Sequence, residues 1–427
     1  MRVRTLGLVL LASWGMAPGF QAALAAAAGS GGHEWPCFHG PNHDNLSVET
    51  GLLKEWPAGG PKRIWTNSDC GGGYSGVAIA GGLIFTAGDF EDREMVLALD
   101  MNGRLAWKSP NGDAWTGASP GSRTTPTYSD GTVYQMNPNG RLAAYEARSG
   151  KPLWAVDLVR QFDAEHGIWG FAENVVVEDG KVLCMPGGWK GRVVALDQHT
   201  GKTIWANTEI EHSAAYCSPT VVTHRGVRQW ISMTQKSVVG VAVRSGKLLW
   251  SCPFVPRSPQ NALTPVYHDG HVFVACGHSS GGTVVKIDPE SRTAERVWYR
   301  RDLDNCHGGA VLVDGKLFGC GCRLGGKNFY CVDFLTGQTR KLDATLGKLG
   351  LTCAEGMLYC LNHRGTMSLL RITPEGFEIA SRFDLGKRPD NTYLAHPVVC
   401  GGRLYLRCDQ YLYAYDIRDP HSRTSVP

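Results

Sequence analysis

The sequence predicts an all-β fold, an eight-bladed β-propeller of four-stranded antiparallel blades, on three observations. Eight two-residue turn signals ending in glycine recur along the chain: Gly81-Gly82, Asp130-Gly131, Asp179-Gly180, Arg225-Gly226, Asp269-Gly270, Asp314-Gly315, Glu355-Gly356 and Gly401-Gly402, every 41 to 49 residues. Each lies between short runs of β-branched, aliphatic or aromatic residues, such as Ala310–Val313 and Lys316–Phe318, and such pairs suit the positive φ of a tight hairpin. Out of phase with them runs a turn followed by tryptophan, at Asn102-Gly103 before Trp107, Ser149-Gly150 before Trp154, Thr200-Gly201 before Trp205 and Ser245-Gly246 before Trp250. Later copies drift: Trp298 follows Asp288 with two extra residues, Lys341 replaces tryptophan, and the seventh unit ends in Phe383. Finally, the eighth unit stops after Leu412–Asp416, while Lys62-Arg63-Ile64-Trp65 reads as an outermost strand without the three that should precede it. A strand near Trp65 would therefore close the ring and remove an open sheet edge.

In chain order, residues 1–28 read as a signal peptide. Arg2 and Arg4 precede an apolar run from Leu6 to Trp14 and a small-residue stretch with A-x-A cleavage sites ending at Ala25 or Ala28. Gly15, Pro18 and Gly19 interrupt the run, so a membrane span is not expected, and the first cysteine, Cys37, is too distant for a lipid anchor. The protein is thus expected to be exported, to periplasm or cell envelope. Residues 29–61 form an extended arm anchored by Trp35, Phe38 and Trp56, residues 62–418 the propeller, and 419–427 a polar tail expected to fray.

Without Arg2 and Arg4, two of the 43 basic residues, charge is nearly balanced against 39 acidic ones. No basic run points to nucleic acid or an anionic membrane, and a monomer is expected. The chain has 14 cysteines and no C-x-x-C, hence no haem-attachment motif. Cys184, Cys276, Cys360 and Cys408 each follow a turn signal and read as buried small hydrophobes, whereas Cys320 or Cys322 would have a cross-strand partner in Cys331.

The unit Ala195–Trp205 resembles the tryptophan-docking motif of pyrroloquinoline quinone (PQQ) repeat propellers, with further copies at Ala98–Trp107, Ala144–Trp154 and Gly240–Trp250. The resemblance covers nearly the whole mature chain. It implies that Trp107, Trp154, Trp205, Trp250 and Trp298 pack between neighbouring blades. That superfamily holds quinoprotein dehydrogenases and non-enzymatic scaffolds of the BamB type, so the resemblance implies the fold and leaves function open. The arm Trp35–Asn42, together with Trp169–Glu173, Pro186–Gly188, His307–Gly309 and His396-Pro397, is similar to exported propellers named by analogy with BamB or polyvinyl-alcohol dehydrogenase.

In a propeller, loops leading into the innermost strands rim one mouth of the channel, where ligands sit. Those segments here carry Tyr74, Arg123, Trp169, Glu173, Tyr216, Asn261, His307 and His396, expected at the channel mouth. Arg123 would hold an anion, and Glu173 with Asn261 would supply oxygen ligands to calcium if a calcium–quinone site exists. The two histidines would act as acid, base or metal ligand. The other reading is a polar network holding eight strand starts together. Against a PQQ- and calcium-dependent alcohol or sugar dehydrogenase stand the lack of adjacent cysteines and of an evident aspartate base, Asp302 and Asp304 being expected in an exposed loop. The expectation is therefore a binding or scaffold protein, with an envelope protein or a small polar ligand as partner. The quinoprotein dehydrogenase is the alternative.

Overall fold

The computed structural model describes residues 34–258, 260–322, 328–386 and 393–422, all within one compact unit. The expected signal peptide, residues 1–28, lies outside the described residues, as do residues 423–427 of the tail.

Eight antiparallel four-stranded sheets form the blades, their innermost strands starting at Ala78, Thr127, Val176, Thr220, Val266, Ala310, Leu349 and Val398. All eight turn pairs have positive φ at both positions, from Gly81 (57°) and Gly82 (77°) to Gly401 (63°) and Gly402 (68°). That geometry matches the right-handed twist of the strands it joins. Alternate residues of a strand face opposite neighbours: Val182 and Cys184 pack toward the second blade, while Leu183 packs toward the fourth. The apolar core is thereby divided into eight wedges, one at each junction between adjacent blades.

Ring closure is as expected. Lys62–Asn67 pairs antiparallel with Tyr411–Asp416, Trp65 opposite Ala414 and Asn67 opposite Leu412. The preceding segment imitates the missing turn, for Gly60 stands where a side chain would strike Phe383 of the seventh blade.

Between blades, the indole N–H groups of Trp65, Trp107, Trp154, Trp205 and Trp298 donate to Met101, Ala147, Gln198, Val243 and Phe334 carbonyls of the next blade, at 2.9–3.1 Å. Each of these indoles lies on a turn glycine whose missing Cβ makes room for it, as Gly201 does for Trp154. Trp250 packs between blades as expected but differs from the other five in its partner. It is buried at the next junction, but its N–H donates to Gln229 of its own blade at 2.7 Å and its ring lies on Gly240. The cause is Arg292, which occupies the glycine position of the fifth blade's turn and donates to the Leu248 carbonyl. In the sixth blade the Lys341 ammonium replaces the indole and donates to the Phe377 carbonyl, with Gly376 beneath its stem.

Candidate functional site

The arm closes one end of the channel. Trp35 exchanges both backbone hydrogen bonds with Ile79 of the first blade, and Leu46–Ser47 adds a parallel strand to Cys353–Ala354 of the seventh. Carboxylates fasten it to the hairpins on that face: Glu34 accepts from Gly81 N–H, and Glu49 from Gly401 and Gly402 N–H. Between these anchors Cys37–Asn45 crosses the channel and sets Phe38 as a floor, stacked on His39 at 3.9 Å and tilted against His396 at 5.2 Å.

Above that floor the lead-in loops enclose a cavity of about 420 Å3. A belt of hydrogen bonds holds its wall: Gly76 N–H donates to Thr125 Oγ1, Thr125 N–H to Asn174 Oδ1 and Asn174 N–H to Ser218 Oγ, one blade to the next. Tyr74, Arg123, Trp169, Tyr216, His307 and His396 all line the cavity. Trp169 and Tyr216 meet edge to face at 5.5 Å, and the Arg123 guanidinium lies 5.5 Å from the centre of the Tyr74 ring. Arg123 is steered by the Ala118 and Ser119 carbonyls, both accepting at 2.6 Å.

Glu173 and Asn261 are not brought to this wall. Each faces the end of a second strand instead, Glu173 Oε2 accepting from Met185 N–H at 2.7 Å and Asn261 Nδ2 donating to Thr234 O at 2.6 Å. Burial pushes the Glu173 carboxyl up to about 8, so it is neutral near pH 7 and a poor ligand for a hard cation that takes six to eight oxygens. Among the described residues no three His, Cys, Asp or Glu side chains converge on a common metal position. The residues present do not fit the calcium of a calcium–quinone site. Asp304, expected in an exposed loop, is fully buried and bonds Ser279 N–H and Cys322 N–H, tying the fifth blade to the sixth.

The histidines form a neutral group at the floor. His396 Nδ1 faces His39 Nε2 at 3.0 Å and the Asn45 amide at 3.2 Å, while its Nε2 faces the His307 carbonyl at 2.8 Å. The carbonyl fixes the His396 proton on Nε2 and leaves Nδ1 to accept. Burial lowers all three, His307 to about 3, with Lys348 a smaller cause for His307. The His307 Nε2 is buried without a protein partner.

Several residues of the cavity lie outside the segments singled out from sequence, Phe38 and Lys348 chief among them. Phe38 was legible only as an arm aromatic, and Lys348 stands just before the blade-seven segment from which a candidate would have been drawn. Neither Lys348 nor Arg123 meets a carboxylate at ion-pair distance among the described residues.

Ring, docking tryptophans and floored channel define a propeller of the PQQ-like class. Residues 91–341 match the PQQ_2 family, described as outer membrane protein assembly factor BamB, and the chain belongs to that family. Quinohemoprotein alcohol dehydrogenase ADH IIB of Pseudomonas putida is 29% identical over 212 residues, covering 46% of this chain and 26% of that protein. Outer membrane protein assembly factor BamB of Yersinia pestis is 28% identical over 145 residues, 33% of each chain. The chain thus spans a third or less of these curated relatives. Among solved structures, BamB from Moraxella catarrhalis superposes with a TM-score of 0.57 at 14% identity, over 84% of this chain and 98% of that one. A europium-containing methanol dehydrogenase superposes at 0.64 and 11% identity, over 88% and 89%. At such identities these likenesses show the fold alone.

Proposed function

We propose that this chain is an exported binding protein of the cell envelope that takes a small anion with a planar part into its floored channel. One observation carries the reading: Arg123 and Lys348, neither at ion-pair distance from a carboxylate among the described residues, line a cavity walled by Tyr74, Trp169 and Tyr216. A cavity of this volume, mostly apolar with a few convergent polar groups, suits a small-molecule ligand. A guanidinium against an aromatic ring, Arg123 on Tyr74, with a second cation in the same cavity, Lys348, favours a carboxylate, sulfonate or phosphate on a ring system. The His307 Nε2 adds one neutral hydrogen-bonding position. Export rests on the basic, apolar and small-residue succession over residues 1–28. A protein partner, in keeping with the family's description, would meet the open rim, since the arm covers the other face.

The second reading, a PQQ- and calcium-dependent dehydrogenase, draws support from the quinohemoprotein relatives and little from the oxygen ligands present. PQQ, a planar tricarboxylate, tests both. Calorimetry of the mature protein with PQQ, with and without calcium, is expected to give saturable binding that calcium does not strengthen, and no alcohol-dependent dye reduction. Binding that requires calcium, followed by dye reduction with an alcohol, would establish the dehydrogenase in its place.

A further inference from the structure

Fourteen cysteines occur in this chain, and the structure holds one pair of them in a position unlike all the others. Cys306 lies in the loop leading into the sixth blade, next to His307, and lines the cavity. Cys322 lies just beyond that blade's second strand, Lys316–Cys320. The backbones are brought together independently of sulfur: Asp304, two residues before Cys306, accepts the Cys322 N–H at 2.9 Å and the Ser279 N–H at 3.0 Å. Both thiols crowd the bare face of Gly277, where a β-carbon would lie 3.1 Å from Cys306 Sγ and 3.4 Å from Cys322 Sγ. The two thiols are thus held at one spot, near enough to influence each other's ionisation. The neighbouring thiols are turned elsewhere, Cys320 to the Leu349 carbonyl and Cys276 to the Ser258 carbonyl. The pairing considered from sequence is displaced, since Cys331 stands opposite Phe318, and Cys320 opposite Phe329.

We infer that Cys306, in the cavity wall, and Cys322 behind it are a disulfide-forming pair, closed by exchange with an organic disulfide that enters through the channel mouth. Cys306 is half-buried where most of the other cysteines are buried, so the cavity gives a reagent access to it. Contact with Cys306, with Lys348 as a smaller cause, pulls the Cys322 thiol below its ordinary value, which favours the thiolate that opens a disulfide. In the exchange one protein thiolate opens the incoming disulfide and releases one thiol, giving a mixed disulfide. The second protein sulfur then displaces the remaining half as a thiol. The two protein thiols are oxidised, the reagent's sulfur–sulfur bond is reduced, and both protons leave on the released thiols. The product would tether the loop Asn305–Gly309, whose His307 carbonyl receives His396, to the Cys322 segment. The inference is independent of which ligand the cavity takes.

The test is thiol mapping of the native mature protein treated with oxidised glutathione, alkylated, and digested without reduction. The expected result is loss of two alkylatable thiols, one cross-linked peptide joining Cys306 to Cys322, and full reversal by dithiothreitol. Cys306→Ala should abolish the link and Cys320→Ala should leave it. A pair that stays alkylatable, a glutathione adduct that persists on Cys306, or a link through Cys331 would overturn the inference. The mapping of the unmutated protein decides the matter even if a variant fails to fold.

Discussion

Lys348 and Glu173 show how one residue's facing decides its chemistry. Lys348 reaches the cavity, where its charge also lowers the neighbouring His307 and Cys322, whereas Glu173 is sealed against Met185. Its raised carboxyl makes a stability prediction. Between its ordinary value of 4.5 and about 8 the folded chain holds a proton that the unfolded chain has released, so stability from this group falls as pH rises through that window. Glu173→Gln keeps an acceptor for Met185 N–H and removes the ionisation. The variant is expected to match the parent near pH 5 in thermal unfolding and to exceed it by several degrees at pH 8.5; equal curves at both pH values would refute a neutral buried acid. Such facing was not legible beforehand. Tyr74, Arg123, Trp169, Tyr216, His307 and His396 fell on the cavity wall because each precedes a turn signal by a similar count. Glu173 and Asn261 share that count, but the lead-in backbone is irregular, so alternation no longer says whether a side chain faces the channel or the gap between blades.

Among the elements, the outermost strands show both what a repeat makes readable and where it stops. Five indoles dock on five turn glycines, and the local pattern of turn plus tryptophan predicts four of them, Trp107, Trp154, Trp205 and Trp298, because both partners recur in the motif, whereas Trp65 reads from sequence only as part of the closing strand. Trp250 packs at its junction as the motif implies, but it bonds Gln229 of its own blade where the next blade's turn carries Arg292 in place of glycine. The arm was legible as an aromatic strap but not as a floor, because its partners Ile79, Cys353 and His396 are remote in sequence. The sixth blade offers a direct check on docking. Gly376 and the Phe377 carbonyl already await an indole where Lys341 now lies. Lys341→Trp should bury more apolar area at the cost of one charged donor, and is expected to stabilise the protein by roughly 1 kcal/mol. Calorimetric unfolding checks this, and a lowered midpoint would show that the glycine and carbonyl alone do not make a docking site.

For the molecule as a whole, ring closure and channel closure come from the same stretch of chain. Residues 35–47 cross one end of the channel and residues 62–67 complete the eighth blade, so the segment before the first blade both seals the sheet and sets Phe38 in the cavity. The hydrogen-bonded belt and the inter-blade wedges fix the wall, which places Arg123 of the second blade and Lys348 of the seventh around one space, neither at ion-pair distance from a carboxylate among the described residues. Their effects on an anionic ligand should therefore be separable. Each charge-assisted contact is worth about 1.5–3 kcal/mol, roughly a ten- to hundredfold change in affinity. The most direct measurement is calorimetric titration of PQQ into the parent protein, Arg123→Gln, Lys348→Gln and the double variant at one ionic strength. The account predicts one site, a loss of about that size for each single variant, and near-additive loss in the double. Unchanged affinity in both single variants, or no binding to the parent, would contradict it.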